Sequence, residues 1–119
     1  MKDQNILQRK SFAFAIRIVK AYKYLRLHKS EFVISKQLLR SGTSICANVE
    51  EAVGGQSKAD FLSKISIAYK ESRETLYWLR LLKATNYINL EGSDSLIQDA
   101  EELCRIIGKI QVTLKSRNS

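Results

Sequence analysis

The feature that most constrains this chain is how few of its residues can end a helix. It contains no proline and five glycines among 119 residues. Turn-forming residues cluster in three places, at 28–31, 54–57 and 86–93. These breaks leave four segments of roughly 22–30 residues, each longer than an average helix. The sequence therefore predicts an all-α protein, with helices at about 5–28, 31–53, 57–86 and 93–116.

Apolar residues in these segments recur at helical spacing. In the last segment they step by four, three, four, three and four residues, at Leu96, Ala100, Leu103, Ile107, Ile110 and Leu114. This spacing is typical of helices that pack at a shallow angle. Because short connections between long helices favour antiparallel neighbours, we expect an up-down-up-down antiparallel four-helix bundle, with residues 1–119 as a single domain.

The residues at the helix ends give more local expectations. Ser57 is predicted to cap the third helix, and Ser93 or Asp94 the fourth, since these side chains accept from free N–H groups in a first helical turn. The apolar residues of the second helix extend from Leu38 to Val53.

Composition excludes several classes of protein. With 45% hydrophobic residues, the chain is too apolar for a disordered tail. No apolar run approaches the roughly 18 residues of a membrane span, and the N-terminus lacks the apolar core of a signal peptide. We expect a cytoplasmic protein that does not enter a membrane. Its two cysteines, Cys46 and Cys104, are expected to stay reduced.

The positive charge is concentrated in the first predicted helix. Of the formal net charge of +8, residues 1–30 hold +7, from eight Lys or Arg and one Asp. At about 100° per residue, one side of that helix carries five cations, opposite the apolar stripe: Arg9, Lys10, Arg17, Lys20 and Lys23. This side is a candidate surface for binding nucleic acid, because each phosphate contact releases counterions. The alternative is a solvated face that serves solubility. Binding to a membrane surface is less favoured, because the apolar side is needed for the core.

Residues 40–52, RSGTSICANVEEA, have an unusual composition for a helix. Gly42 costs about 1 kcal/mol relative to alanine in a helix interior, and serine and threonine are mediocre helix formers. The small side chains favour close approach of another helix. A helix start at Ser41 or Thr43 that binds phosphate is the alternative, although the segment lacks the ending of a P-loop. Asn48 is expected to face the bundle and to need hydrogen-bond partners.

This segment, together with residues 10–20 and 70–79, resembles the bacterial four-helix-bundle proteins of the 23S ribosomal-RNA intervening-sequence family. That family is related to the accessory variability determinant of diversity-generating retroelements. The resemblance extends over about residues 5–114 and is most specific at 37–52. Cys46 departs from the pattern, because the family usually has glycine or another small residue there.

The resemblance implies a ring-like homopentamer with a basic surface. For the retroelement relatives, it implies binding of nucleic acid and of a reverse transcriptase. It brings no catalytic residue and no cofactor. The residues that match the family's motifs are expected to be structural, with Arg40 forming a buried ion pair with Glu71 or Glu74: Arg40, Gly42, Asn48, Glu51, Glu71, Glu74 and Trp78.

Enzymatic interpretations find little support in the residue patterns. A di-iron site needs Glu-x-x-His on two helices, and the chain has one histidine, His28. Glu50-Glu51 and Glu71-x-x-Glu74 fall short of the carboxylate set of a magnesium-dependent nucleotide hydrolase. We therefore expect a non-enzymatic protein, without metal or cofactor, that self-associates and binds RNA or DNA. The alternatives are a structural or adaptor protein for a partner such as a reverse transcriptase and, third, the magnesium-dependent hydrolase.

Overall fold

In the described part of the chain, the regular secondary structure is entirely helical and no strand is present. The computed structural model describes the backbone of residues 2–118 and the side chains of residues 6–117. The predicted domain, 1–119, extends one residue beyond the described part at each end. The all-α prediction with four helices is confirmed, and the helices are α1 (Lys2–Lys29), α2 (Ile34–Val53), α3 (Lys58–Ala84) and α4 (Leu90–Asn118).

The helix α2 starts three residues later than predicted, because Glu31 caps it from outside. The Glu31 carboxylate accepts from the backbone N–H of Ile34 at 3.1 Å and of Ser35 at 2.7 Å. The Ser35 hydroxyl donates in return to the Glu31 carbonyl oxygen at 2.8 Å. The first N–H groups of a helix have no partner within it, so this buried carboxylate satisfies donors that would otherwise be unpaired.

The helix α4 starts three residues earlier than predicted. Asn89 Oδ1 accepts from the Gly92 N–H at 2.7 Å and so occupies the capping position. The prediction of Ser93 or Asp94 as the cap is therefore wrong. Ser93 is buried within α4, where its hydroxyl donates to the Leu90 carbonyl oxygen. The predicted cap of α3 is confirmed, since Ser57 Oγ accepts from the Asp60 N–H at 3.1 Å.

The connection between α3 and α4 begins with a Schellman-type turn. Asn86 has a φ of 65°, in the left-handed region that asparagine tolerates. Its N–H donates to the Lys83 carbonyl oxygen, and the Tyr87 N–H donates to that of Leu82. The turn ends α3 at Ala84 and leads the chain through Ile88 toward α1.

The hydrophobic core lies between helices that follow one another in the chain, and α4 also packs against α1. Val53, the last residue of α2, is 41% exposed. None of the described helices combines the length and the apolar character that crossing a membrane requires. The fully buried apolar side chains include Ile18, Leu25, Leu38, Ile45, Ala68, Leu79, Leu82, Ala100 and Ile107.

Between successive helices, residue numbers rise along one helix while the numbers of their contact partners fall along the other. Between α2 and α3, Ser41 meets Thr75, whereas Glu51 meets Lys64. Between α3 and α4, Ser72 meets Cys104, whereas Ser66 meets Gln111. This order is compatible with the predicted up-down-up-down arrangement.

Gly42 marks a close approach of α1 and α2. A Cβ atom added there would lie 2.7 Å from Ile18 Cγ2 and 2.8 Å from Ile18 Cγ1. This geometry supports the interpretation that small residues allow close packing. The alternative of a helix start at Ser41 or Thr43 is wrong, because α2 runs without interruption from Ile34 to Val53.

We predict that Gly42→Ala destabilises the fold by about 1–3 kcal/mol, because the new methyl group forces buried Ile18 and its helix apart. Urea unfolding measures the change. The double variant with Ile18→Ala should lose less stability than the sum of the single variants, since the clashing atoms are absent. Gly108→Ala is the matched control. Its Cβ would meet the edge of the half-buried Tyr69 ring at 3.2 Å, a longer contact than the one at Gly42, so it should lose less stability. Strictly additive effects of Gly42→Ala and Ile18→Ala on stability would contradict the prediction.

Candidate nucleic-acid interface

The basic side of α1 divides into an outward row and a row beside α4. Arg9, Lys20 and Lys23 are exposed on the outward row. They form no ion pair with any described residue. Their burial pattern follows from the helical period, since Phe14, Ile18 and Leu25 occupy the opposite side and fill the core. The outward row therefore carries unneutralised positive charge.

The other two predicted cations are paired with carboxylates of α4. Lys10 Nζ lies 3.0 Å from Glu102 Oε1, and an Arg17 guanidinium nitrogen lies 2.5 Å from Asp99 Oδ2. Arg17 also donates to the Ser95 hydroxyl at 3.0 Å. The sequence shows acids in this part of α4, but only the packing of α4 against α1 brings them to these cations. Two of the five predicted site residues are thus neutralised within the chain.

Apolar and aromatic side chains that the sequence analysis missed lie beside the cations. Phe12 is 61% exposed on the outward side of α1, and Ile16, one turn later, is also exposed. The Arg26 guanidinium lies 5.3 Å from the centre of the Tyr22 ring and 5.1 Å from that of Phe32. The signal for Phe12 and Ile16 was their helical position, since at about 100° per residue both fall within about 20° of Lys23.

Arg40 links α2 to α3 through two glutamates. One guanidinium nitrogen lies 3.1 Å from Glu71 Oε2, and another contacts Glu74 Oε2. Trp78 Nε1 donates to the same oxygen of Glu74 at 3.0 Å. Both predicted partners are therefore found, but the Arg40 side chain is 51% exposed, so the prediction of a buried arginine is wrong.

The network sets the charge state of its members. The Trp78 N–H and the Arg40 guanidinium hold the pKa of the Glu74 carboxyl below its ordinary value, against the opposing effect of burial. The hydrogen bond to Glu74 raises the pKa of Arg40 in turn. Glu74 is thus kept ionised as a structural anion that orders Arg40 and Trp78.

The remaining motif residues have local partners. Asn48 is buried, and its amide donates to the Ser44 carbonyl oxygen at 2.9 Å and to the Ser44 hydroxyl at 3.1 Å. Glu51 pairs with Lys64 at 3.0 Å. Among the described residues, no three His, Cys, Asp or Glu side chains are grouped so that they could hold a metal ion. Cys46 is buried and free, and the Cys104 thiol donates to Ser72 Oγ at 3.2 Å.

The model of one protein family, the 23S rRNA-intervening sequence proteins, matches residues 3–109 of the chain. The chain belongs to this family. A similar crystal structure is that of a protein of unknown function from the S23 ribosomal protein family of Bacteroides thetaiotaomicron VPI-5482. It is 49% identical, with a TM-score of 0.89, and the match covers 92% of this chain and 97% of that one. A search of curated proteins found no match.

We predict that Glu74→Gln lowers the stability of the protein at neutral pH by about 1 kcal/mol, because Arg40 and Trp78 lose an ionised partner. The folded pKa of Glu74 is depressed, so its stabilisation is complete above the ordinary carboxyl value of 4.5 and is lost as the pH falls through the lower folded value. Urea midpoints measured across this range should fall more steeply for the original chain than for Glu74→Gln. Identical pH profiles would contradict this role of Glu74.

Proposed function

We propose that this protein is a non-enzymatic, oligomeric helical bundle of the cytoplasm that binds RNA or DNA through the outward side of α1. The observation that carries the proposal is the row of Arg9, Lys20 and Lys23, which are exposed and unpaired among the described residues. The row is held in place because the opposite side of α1 is buried in the core.

The charge of this row favours a polyanion. Lys20 and Lys23 lie one turn apart on one side of the helix, so their like charges repel. A bound phosphate backbone relieves that repulsion and releases its own condensed counterions. Contacts of this kind are independent of base sequence.

The paired cations extend the same surface at low energetic cost. The ion pairs of Lys10 and Arg17 are solvent-exposed, and pairs of this kind contribute about 0–1 kcal/mol each. Exchanging Glu102 or Asp99 for a phosphate therefore costs little. In this proposal, Arg9, Lys20 and Lys23 make the first contacts, while Lys10 and Arg17 join at the border with α4.

The proposal includes the up-down-up-down antiparallel topology and assembly as a ring-like homopentamer. The reversed order of residue pairs between successive helices supports the topology. Leu27 and Val33 are both more than 70% exposed at the turn between α1 and α2, and Phe32 lies half-exposed between them. Large apolar side chains grouped in this way are typical of a surface that meets another subunit.

An adaptor function for a protein partner is the second candidate, and Phe12 and Ile16 favour it. Both are exposed within the basic side of α1, where a nucleic-acid backbone alone would leave them in water. A partner such as a reverse transcriptase would cover them with apolar surface. This candidate draws on the resemblance to the accessory variability determinant of retroelements, which implies binding of nucleic acid and of a reverse transcriptase.

We predict that replacing Arg9, Lys20 and Lys23 by glutamine weakens binding of a random-sequence RNA and makes it less dependent on salt. Each lost contact should reduce the slope of log affinity against log salt by about 0.7 for single strands or 0.9 for duplex DNA. Fluorescence anisotropy at several salt concentrations measures both effects.

The matched control replaces three exposed lysines elsewhere, Lys36, Lys58 and Lys109, and so changes the net charge equally. Under the proposal, this control variant retains most of the slope of log affinity against log salt. Equal losses in the two triple variants would show that total charge, rather than the α1 row, controls binding. No binding by the original chain at low salt would leave the adaptor candidate.

We predict that light scattering gives the original chain a mass several times 13.6 kDa, five times for the pentamer. The double variant Leu27→Ser and Val33→Ser should shift the mass toward that of one chain, because the exposed apolar contact is lost. Both residues are exposed, so circular dichroism should stay unchanged. A mass of one chain for the original protein would exclude the ring.

A further inference from the structure

A groove at one end of the bundle lies between α1 and the connection that leads into α4. It consists of two adjoining cavities of about 390 Å³ and 230 Å³ that share Tyr24, Ile88 and Asn89. We call it the end groove. The larger cavity is formed where successive turns of α1 face Gly92 and Leu96 of α4. The smaller cavity is lined by Asn86 of the Schellman turn. The larger volume is within the range of about 300–1,000 Å³ that is usual for small-molecule sites.

The charged residues that line the end groove are all cations among the described side chains. Arg17 and Lys20 line the larger cavity, and Lys29 and Lys83 line the smaller one. Arg17 and Lys83 are held by Asp99 and Asp94, which lie outside the lining. Lys20 and Lys29 have no described partner, so each cavity offers one free cation to an anionic ligand.

The two cavities that hold the free cations share one aromatic ring. Tyr24 is 38% exposed and lines both cavities, and its ring centre lies 5.5 Å from that of His28. Asn89 and Asn86 contribute amide groups beside it. Aromatic side chains between basic residues bind single-stranded nucleic acid, because every base has a flat face that can stack on the ring.

We propose that the end groove binds one unpaired nucleotide of a single-stranded nucleic acid, with its base against Tyr24 and its flanking phosphates at Lys20 and Lys29. This inference rests on the proposed function and names its substrate class. Lys20 belongs both to the end groove and to the outward row of α1, so a strand that follows that row reaches the groove directly. A base within a duplex stays paired and stacked, so the groove selects unpaired segments.

The test compares two labelled probes with the full-length protein: a short oligouridylate, and an abasic strand of the same length and phosphate number. Anisotropy titrations at one salt concentration should show the oligouridylate bound at least about five-fold more tightly, from stacking on Tyr24. Tyr24→Ala should remove this preference, and Tyr24→Phe should retain it. Lys29→Gln should weaken binding of both probes by a similar factor.

The matched control is Tyr77→Ala on α3, an exposed tyrosine that lines neither cavity. It should keep the preference for the oligouridylate. If Tyr24→Ala does not fold, as checked by circular dichroism, Tyr24→Leu keeps the side-chain volume without the aromatic face and should also lose the preference.

Two negative results are distinguishable. Equal affinity of the original chain for both probes, together with weakening by Lys23→Gln, would overturn the end groove and leave the proposed function intact. Absence of binding to either probe at low salt would overturn both. A Tyr24→Ala variant that keeps the preference would also exclude Tyr24 as the stacking surface.

Discussion

The structure depends on the burial of one apolar stripe of α1 against its two neighbouring helices. Ile18 and Leu25 are fully buried, and Gly42 on α2 gives Ile18 the space that a Cβ atom would occupy. A helix whose stripe is fixed in this way has no freedom to rotate, so its opposite side must face solvent. The burial that stabilises the fold is therefore also what presents the cations of α1, and the proposed functions follow from this one packing constraint.

Charge compensation between helices narrows the basic surface. The formal charge on the first thirty residues suggests one uniform face, but α4 places Asp99 and Glu102 at one edge of it. The free charge that remains extends from Arg9 to Lys20 and Lys23 and meets the end groove at Lys20. In the proposed function, this row of cations leads a flexible strand to a partly exposed aromatic ring.

Capping explains where periodicity failed to locate the helix ends. Apolar spacing shows that a helix exists, but its first residue is decided by which side chain satisfies the free N–H groups. Glutamate is not among the usual capping residues, yet Glu31 accepts from three successive N–H groups from outside α2. Asn89, which the sequence analysis had placed in a turn, caps α4, and Ser93 instead lies inside that helix. Ser57 was predictable because serine is a preferred capping residue and stands directly before the helical pattern of α3.

The sequence by itself determined the number of helices, the stripe that each one buries and the side of α1 that carries the charge. These properties depend on residue type and on the helical period, which are local. Tertiary structure alone decided that Lys10 and Arg17 are neutralised, that Arg40 is half-exposed, and that Tyr24 stands between two cavities with free lysines. Each of these outcomes depends on how one helix is positioned against another, and side chains as distant in sequence as Lys10 and Glu102 become neighbours only through that packing.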